Sequence, residues 1–234
     1  MTIPRVFVAV PSIGRSPLFA ALLDVLWVDP VVEWLTVWDN SVEQAGAAQA
    51  TRQAESWADP TRVDVFGWPN PRNLSRMWLA AQHEATAVGA THLVCLNDDI
   101  TLTAERGHPV GEWVANHDAC NLGLSCPSYL TPHVPPDTHR MVFGTYRDAG
   151  LAGFAWCLTL AGAPEIDEQF EWWGGDDDLV WSQATTDPPR AVGIIGATRV
   201  AHPCAETTAH TVAWTHTARN DDRARLHAKW GRTW

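Results

Sequence analysis

Lysine is almost missing from this chain. Of sixteen basic residues fifteen are arginine and one, Lys229, is lysine; twenty-seven acidic residues leave a net charge of -11 over 234 positions. That balance excludes a general electrostatic attraction for a phosphate backbone. A nucleic-acid partner is therefore disfavoured and would need a local basic groove. Arg140 with Arg147, or Arg219, Arg223 and Arg225, could form one, although the last three read first as a solvated helix face. Cys-x-x-Cys pairs are also absent. The five cysteines (Cys95, Cys120, Cys126, Cys157, Cys204) are odd in number and mostly lie in apolar stretches, where a free thiol behaves as a small hydrophobe, so a reducing compartment is expected. No segment reaches the ~20 apolar residues of a membrane span. The longest candidate, 151–163, is too short, and no basic stretch with a signal-type apolar run precedes the first strand-like segment. The expectation is a soluble cytoplasmic protein. With no internal repeat and no low-complexity spacer, the chain reads as one domain long enough to bury a substantial core.

What is present is an alternation. Residues 5–11 are β-branched and aromatic and end in Pro11-Ser12-Ile13-Gly14-Arg15; Ser16-Pro17 then supplies an N-cap and a first-turn proline for an amphipathic helix through Leu26. The unit recurs as strand 32–38, helix 44–57, strand 62–66, helix 74–88 closed by Gly89, and strand 91–96. Strands and helices of these lengths imply an α/β fold with a mostly parallel sheet and helices on both faces. The second half differs: helix 110–117, strand 122–126, a proline-rich loop 131–136, extended pieces at 141–146 and 151–160, strand 191–195 and a terminal helix 211–230. This predicts a smaller mixed sheet and a C-terminal helix. The single domain divides at about residue 100, where the alternation ends, and again at 211, where the terminal helix begins.

Two acidic clusters about eighty residues apart stand out: Asn97-Asp98-Asp99, and Trp172-Trp173-Gly174-Gly175-Asp176-Asp177-Asp178-Leu179. A carboxylate pair ending a buried strand is costly unless a cation or hydrogen bonds hold it. Asn and Asp also favour strand-terminal turns for local reasons. In a parallel sheet, however, ligands bind beyond the carboxyl ends of the strands, where Ser12, Asp39, Asp98 and Asp99 would converge. A hard divalent cation there, held by one or two carboxylates, would neutralise a diphosphate. An acidic first helix turn accounts for Asp178 through the macrodipole, but not for three aspartates in a row after Gly-Gly.

The order of these pieces resembles the GT-A glycosyltransferases, particularly the family 2 group that uses nucleotide-diphosphate sugars. Residues 8–15 look like that family's first strand and nucleotide loop, Asp39-Asn40-Ser41 like its base-binding turn, and Asn97-Asp98-Asp99 like its DxD-type motif. Gly153-Phe154-Ala155 resembles the strand before the acceptor site. Glu165-Ile166-Asp167-Glu168-Gln169-Phe170 with the tryptophan and aspartate run resembles "F-D-E-x-F … W-G-E-D-x-D-L", and Lys229-Trp230-Gly231 a tail often seen in these enzymes.

The resemblance implies an inverting, manganese- or magnesium-dependent transfer from a nucleoside-diphosphate sugar to an acceptor hydroxyl, borne by a saccharide or by a hydroxymethylated pyrimidine in DNA. Asp99 and His202 would hold the metal, and imidazole suits Mn better than Mg; His210 and His216 belong to the terminal segment. Pro11, Ser12, Arg15, Asp39, Arg76, Asn97 and Asp98 would meet the donor in a nucleotide-sugar-binding half, 1–100, and Gly153, Trp172, Trp173 and Asp178 the acceptor in an acceptor and catalytic half, 101–210, that holds the smaller mixed sheet, with the C-terminal helix in 211–234. The register anchored on Asp178-Leu179 makes Asp176 the general base, with Gly175 where the family has Glu. Anchoring on Trp173-Gly174-Gly175, as in a "W-G-G-E-D-D-D" segment, makes it Asp177. A nucleotidyltransferase would share the sheet and the carboxylates, but 11–15 has a single glycine and no lysine. A catalytically inactive nucleotide-sugar-binding module is the other alternative, against which Asp99, Asp176 and His202 stand intact.

Overall fold

A computed structural model describes residues 3–41, 45–57, 63–67, 73–129, 140–141, 153–203 and 213–232. Cys204, His210, Arg147, Arg72 and the loop 131–136 lie outside them. In chain order the elements are β1 (Val6–Ser12), α1 (Phe19–Trp27), β2 (Val32–Asp39), α2 (Ala45–Ala54), β3 (Val63–Gly67), α3 (Leu74–Ala87), β4 (His92–Leu96), β5 (Thr101–Ala104), α4 (Pro109–Ala119), β6 (Leu122–Tyr129), β7 (Arg140–Met141), β8 (Ala155–Thr159), α5 (Gly175–Gln183), β9 (Ala191–Ala201) and α6 (Ala213–Trp230).

The strands join in one sheet, ordered β3-β2-β1-β4-β8-β6-β9-β5, with β7 also on β9. β3, β2, β1 and β4 are parallel; β8 runs antiparallel between β4 and β6, and β9 is parallel to β6. The mixed half expected from the sequence is thus continuous with the parallel half through β8. Both faces of β1 are buried, as in parallel sheets covered on two sides. Its alternation divides the core: Val6, Val8 and Val10 pack with α1, α2 and α4, whereas Phe7 and Ala9 pack with α3, α5 and α6.

Helix α1 starts at Phe19, two residues beyond Pro17, because Ser16 Oγ accepts from Leu18 N (3.1 Å) and holds a turn first. β9 runs on to Ala201 rather than stopping at Ile195. Its register against β6 jumps there, Pro127 facing Ile195 and Ser128 facing Arg199, so an irregularity hides the second half of the strand from a pattern reading. β5, four residues long, escaped the sequence pattern and pairs antiparallel with 198–201.

Beneath the sheet His117 is fully buried in a run of neutral donors and acceptors. Trp113 Nε1 donates to Ser125 Oγ (2.8 Å), which lies 2.7 Å from His117 Nδ1; His117 Nε2 lies 2.7 Å from Thr159 Oγ1, which donates to Leu122 O (3.1 Å). The run assigns the proton to Nε2 of a neutral ring. Burial, with His92 and Arg190 nearby, pushes its pKa down to about 3. The unfolded chain takes up this proton near pH 6.5 and the folded one does not, so the contribution is complete above pH 6.5 and lost on acidification. Stability is expected to fall by about 1.4 kcal/mol per pH unit between pH 6.5 and 3 from this group. Denaturant unfolding across that range should show a correspondingly shallower slope for His117→Gln.

Candidate active site

At the carboxyl ends of β1, β2 and β4 lies a cleft of about 340 Å³, lined by Pro11, Ser12, Asn97, Asp98, Asp99, Gly153, Trp172, Trp173, Asp176 and His202 among others. Register explains how residues a hundred positions apart meet. Thr101 opposite Ala201 leaves Asp99 and His202 just beyond the paired ends of β5 and β9. Parallel pairing of β1 with β4 sets Ser12 beside Asp98, and Ser12 Oγ donates to Asp98 Oδ2 (2.6 Å). Asn97 N donates to Phe154 O (2.8 Å), extending the β4–β8 ladder and bringing Gly153 into the cleft. Gly153 there packs so closely on Asp176 that a methyl group would collide with Oδ2.

Asp99 is buried, and His202 Nε2 lies 2.8 Å from its Oδ2. The two atoms are close without hydrogen-bond alignment: His202 Nε2 has no hydrogen-bond partner among the described residues, and neither has Asp99 Oδ1. A buried carboxylate oxygen left unmatched beside an imidazole nitrogen is an arrangement a divalent cation would complete, so these residues fit the expected ion. Asp98 is pushed up to about 6, chiefly by burial and partly by Asp99, against the opposing bond from Ser12.

Helix α5 begins at Gly175 after Gly174, whose φ of 73° is the left-handed conformation that favours glycine. A Cβ at 175 would meet Ser75 Oγ and crowd Trp78 on α3, so the helix start packs closely against α3 at this glycine. The three aspartates then diverge. Asp176 faces the cleft, and burial raises its carboxyl above the ordinary value. Asp177 is buried off the cleft lining. Asp178 accepts from Trp230 Nε1 (2.7 Å) and pairs with Lys229 (2.8 Å), which binds the Lys229-Trp230-Gly231 tail to α5 instead of lining the cleft.

Three donor-side expectations also fall outside the lining. Asp39 accepts from Ala47 N (2.7 Å) and Ser41 N (2.9 Å), closing the entry to α2. Its neighbour Asn40 lines the cleft instead, with a buried Oδ1 that has no partner among the described residues. Arg15 is exposed, and Arg76 pairs with Glu168 at 3.5 Å on the surface. The sequence reading quoted Asn40 and Phe154 only within motifs, assigning neither a role of its own, and missed Trp78; all three are in the lining. Asn40 was within reach of it, since side chains alternate as β2 runs out. No helix among the described residues is long and apolar enough to cross a membrane.

No family model matches the chain, and no curated protein matches its sequence. Solved structures do match. GalNAc-T7, crystallised with UDP, GalNAc and Mn2+, is 11% identical over 86% of this chain and 44% of its own, with a TM-score of 0.64. S. aureus TarS 1-349 is 11% identical over 83% and 60%, with a TM-score of 0.58. Glucosyl-3-phosphoglycerate synthase from Mycobacterium tuberculosis, in complex with Mn2+, UDP and phosphoglyceric acid, is 12% identical over 97% and 78%, with a TM-score of 0.61. The chain spans less than two thirds of the length of the first two. With its parallel β3-β2-β1-β4 half, the antiparallel β8 insertion and a cleft where the strands end, this chain has the GT-A fold of nucleotide-sugar transferases.

Proposed function

We propose that the protein is an inverting, metal-dependent glycosyltransferase moving a sugar from a nucleoside-diphosphate sugar to a hydroxyl group. One observation carries the reading: the unmatched Asp99 and His202 atoms share a cleft with a carboxylate of raised pKa, Asp176, and two tryptophans. The structural neighbours crystallised with UDP and Mn2+ support the donor and metal classes.

On this reading Asp99 and His202 hold the cation, and Ser12, Asn97, Asn40 and Asp98 meet the donor. Ser12 keeps Asp98 turned toward the end of β1, so that its carboxylate has a fixed orientation before the donor arrives. When bound, the cation offsets the charge that grows on the departing diphosphate. Trp172 and Trp173 offer flat apolar rings to the C–H faces of a sugar, and Trp173 Nε1 is a buried donor without a partner among the described residues. Asp176 takes the proton of the acceptor hydroxyl while that oxygen bonds the anomeric carbon and the bond from this carbon to the diphosphate oxygen breaks. Attack opposite the leaving group inverts the anomeric centre. Burial raises its carboxyl above the ordinary value and so makes it a stronger proton acceptor than a solvated aspartate.

Incubation with UDP-, GDP- and dTDP-sugars and Mn2+, followed by mass spectrometry of the products, is expected to give glycoside or free sugar with one nucleotide class. Calorimetry with no affinity for any of these donors, with Mn2+ or Mg2+, would overturn the proposal.

A further inference from the structure

The only fully buried carboxylate of α6, Asp222, lies in the middle of its contact stripe, between Ala218 and Leu226 four residues to either side. A charge there is costly unless it is met completely. It is met by three consecutive backbone amides: Glu171 N at 3.0 Å on Oδ1, and Trp172 N and Trp173 N at 2.9 Å on Oδ2. Arg225 adds a charged bond of 2.7 Å to Oδ1. Successive amides turned toward one point form a concave anion-binding nest, and here the chain's own carboxylate fills it. The nest belongs to the segment that presents Trp172 and Trp173 to the cleft and leads to Asp176 three residues later. Because the bonds reach main chain and not side chain, they set the path of the loop. The far end of the same segment is tied to α6 through Asp178, Lys229 and Trp230, and its start is held on α3 by Leu74 N donating to Glu171 O (2.8 Å).

We infer that Asp222 is a positioning residue for the acceptor side of the cleft: it fixes the Trp172–Trp173 wall without touching substrate. The functional half of this inference rests on the glycosyltransferase reading. The nest itself does not, and this separates the two failures.

The test uses the full chain with Asp222→Asn, which keeps the volume and one acceptor oxygen, and Asp222→Ala beside it. Hydrogen exchange should be at least tenfold faster at amides 171–173 in Asp222→Asn, with β1 and β4 as protected as in the wild type. Should Asp222→Ala fail to fold, Asp222→Asn decides. Transfer to a set of methyl glycosides should show an acceptor KM raised at least tenfold and a donor KM within twofold. Unchanged exchange at 171–173 would overturn the inference. So would equal loosening of β1 and β4, the mark of a merely structural role, or faster exchange with both KM values unaltered. A wild-type protein that binds no nucleotide sugar would sink the enzymatic reading and leave the exchange result to decide the nest.

Discussion

Asp176→Asn is expected to lower the turnover of sugar transfer by about a thousandfold, within the usual range for removing a positioned general base, and to leave donor affinity within about twofold. The substitution keeps the shape of the side chain against Gly153, where there is no room for a larger group, so the cleft wall is preserved and only the proton acceptor is lost. Asp177 gives the contrast. It lies off the cleft lining, and Asp177→Asn is expected to act on folding more than on chemistry. Initial rates at saturating donor, with calorimetry of UDP binding in Mn2+, separate the two variants. Near-normal turnover in Asp176→Asn, with loss in Asp177→Asn, would transfer the base to Asp177 and favour the alternative register of the Trp-Trp-Gly-Gly run.

How far the sequence reached depended on whether a residue acts through its own strand or through a distant partner. β1 and β4 carry apolar runs and β2 a largely apolar one, each followed by polar residues, so their ends could be read, and with them the convergence of Ser12, Asp98 and Asp99. β5 has four residues, too few for alternation to register, yet its pairing with the end of β9 is what brings His202 to Asp99. The aspartates show the limit more sharply. Asp39, Asp178 and Asp222 have the same chemistry as Asp99 and Asp176, but their oxygens accept from Ala47 N, Trp230 Nε1 and the amides of 171–173. A sequence gives the carboxylate without its partner. Whether it serves a ligand or the chain itself is decided by its contacts, local for Asp39 but about fifty residues away for Asp178 and Asp222, and Asp222 carries only one local sign, a charge within an apolar helical stripe.

Asp99→Asn should have an effect of opposite character to any change at those structural aspartates. Wild-type protein is expected to gain thermal stability when Mn2+ and UDP are added together, by RT ln(1 + [L]/Kd), because only the folded cleft assembles the ligands. In Asp99→Asn that gain should vanish and the affinity for UDP in Mn2+ should fall at least about a hundredfold, or roughly 2.7 kcal/mol, since a charged oxygen facing the ion becomes a neutral amide. Without metal or nucleotide, the midpoint of unfolding should not drop. Asp99 Oδ1 has no partner among the described residues, and its charge acts unfavourably on Asp98. A group kept at a cost to the resting fold and returned by a ligand is the signature of a site selected for function and not for stability. Asp222, with every bond of its carboxylate satisfied inside the chain, should be destabilising to remove in any buffer. Differential scanning calorimetry of the two variants, with and without Mn2+ and UDP, sets these expectations side by side. A metal-free Asp99→Asn protein melting several degrees below the wild type would mean that Asp99 supports the fold, and the ion-binding role assigned to it would fail.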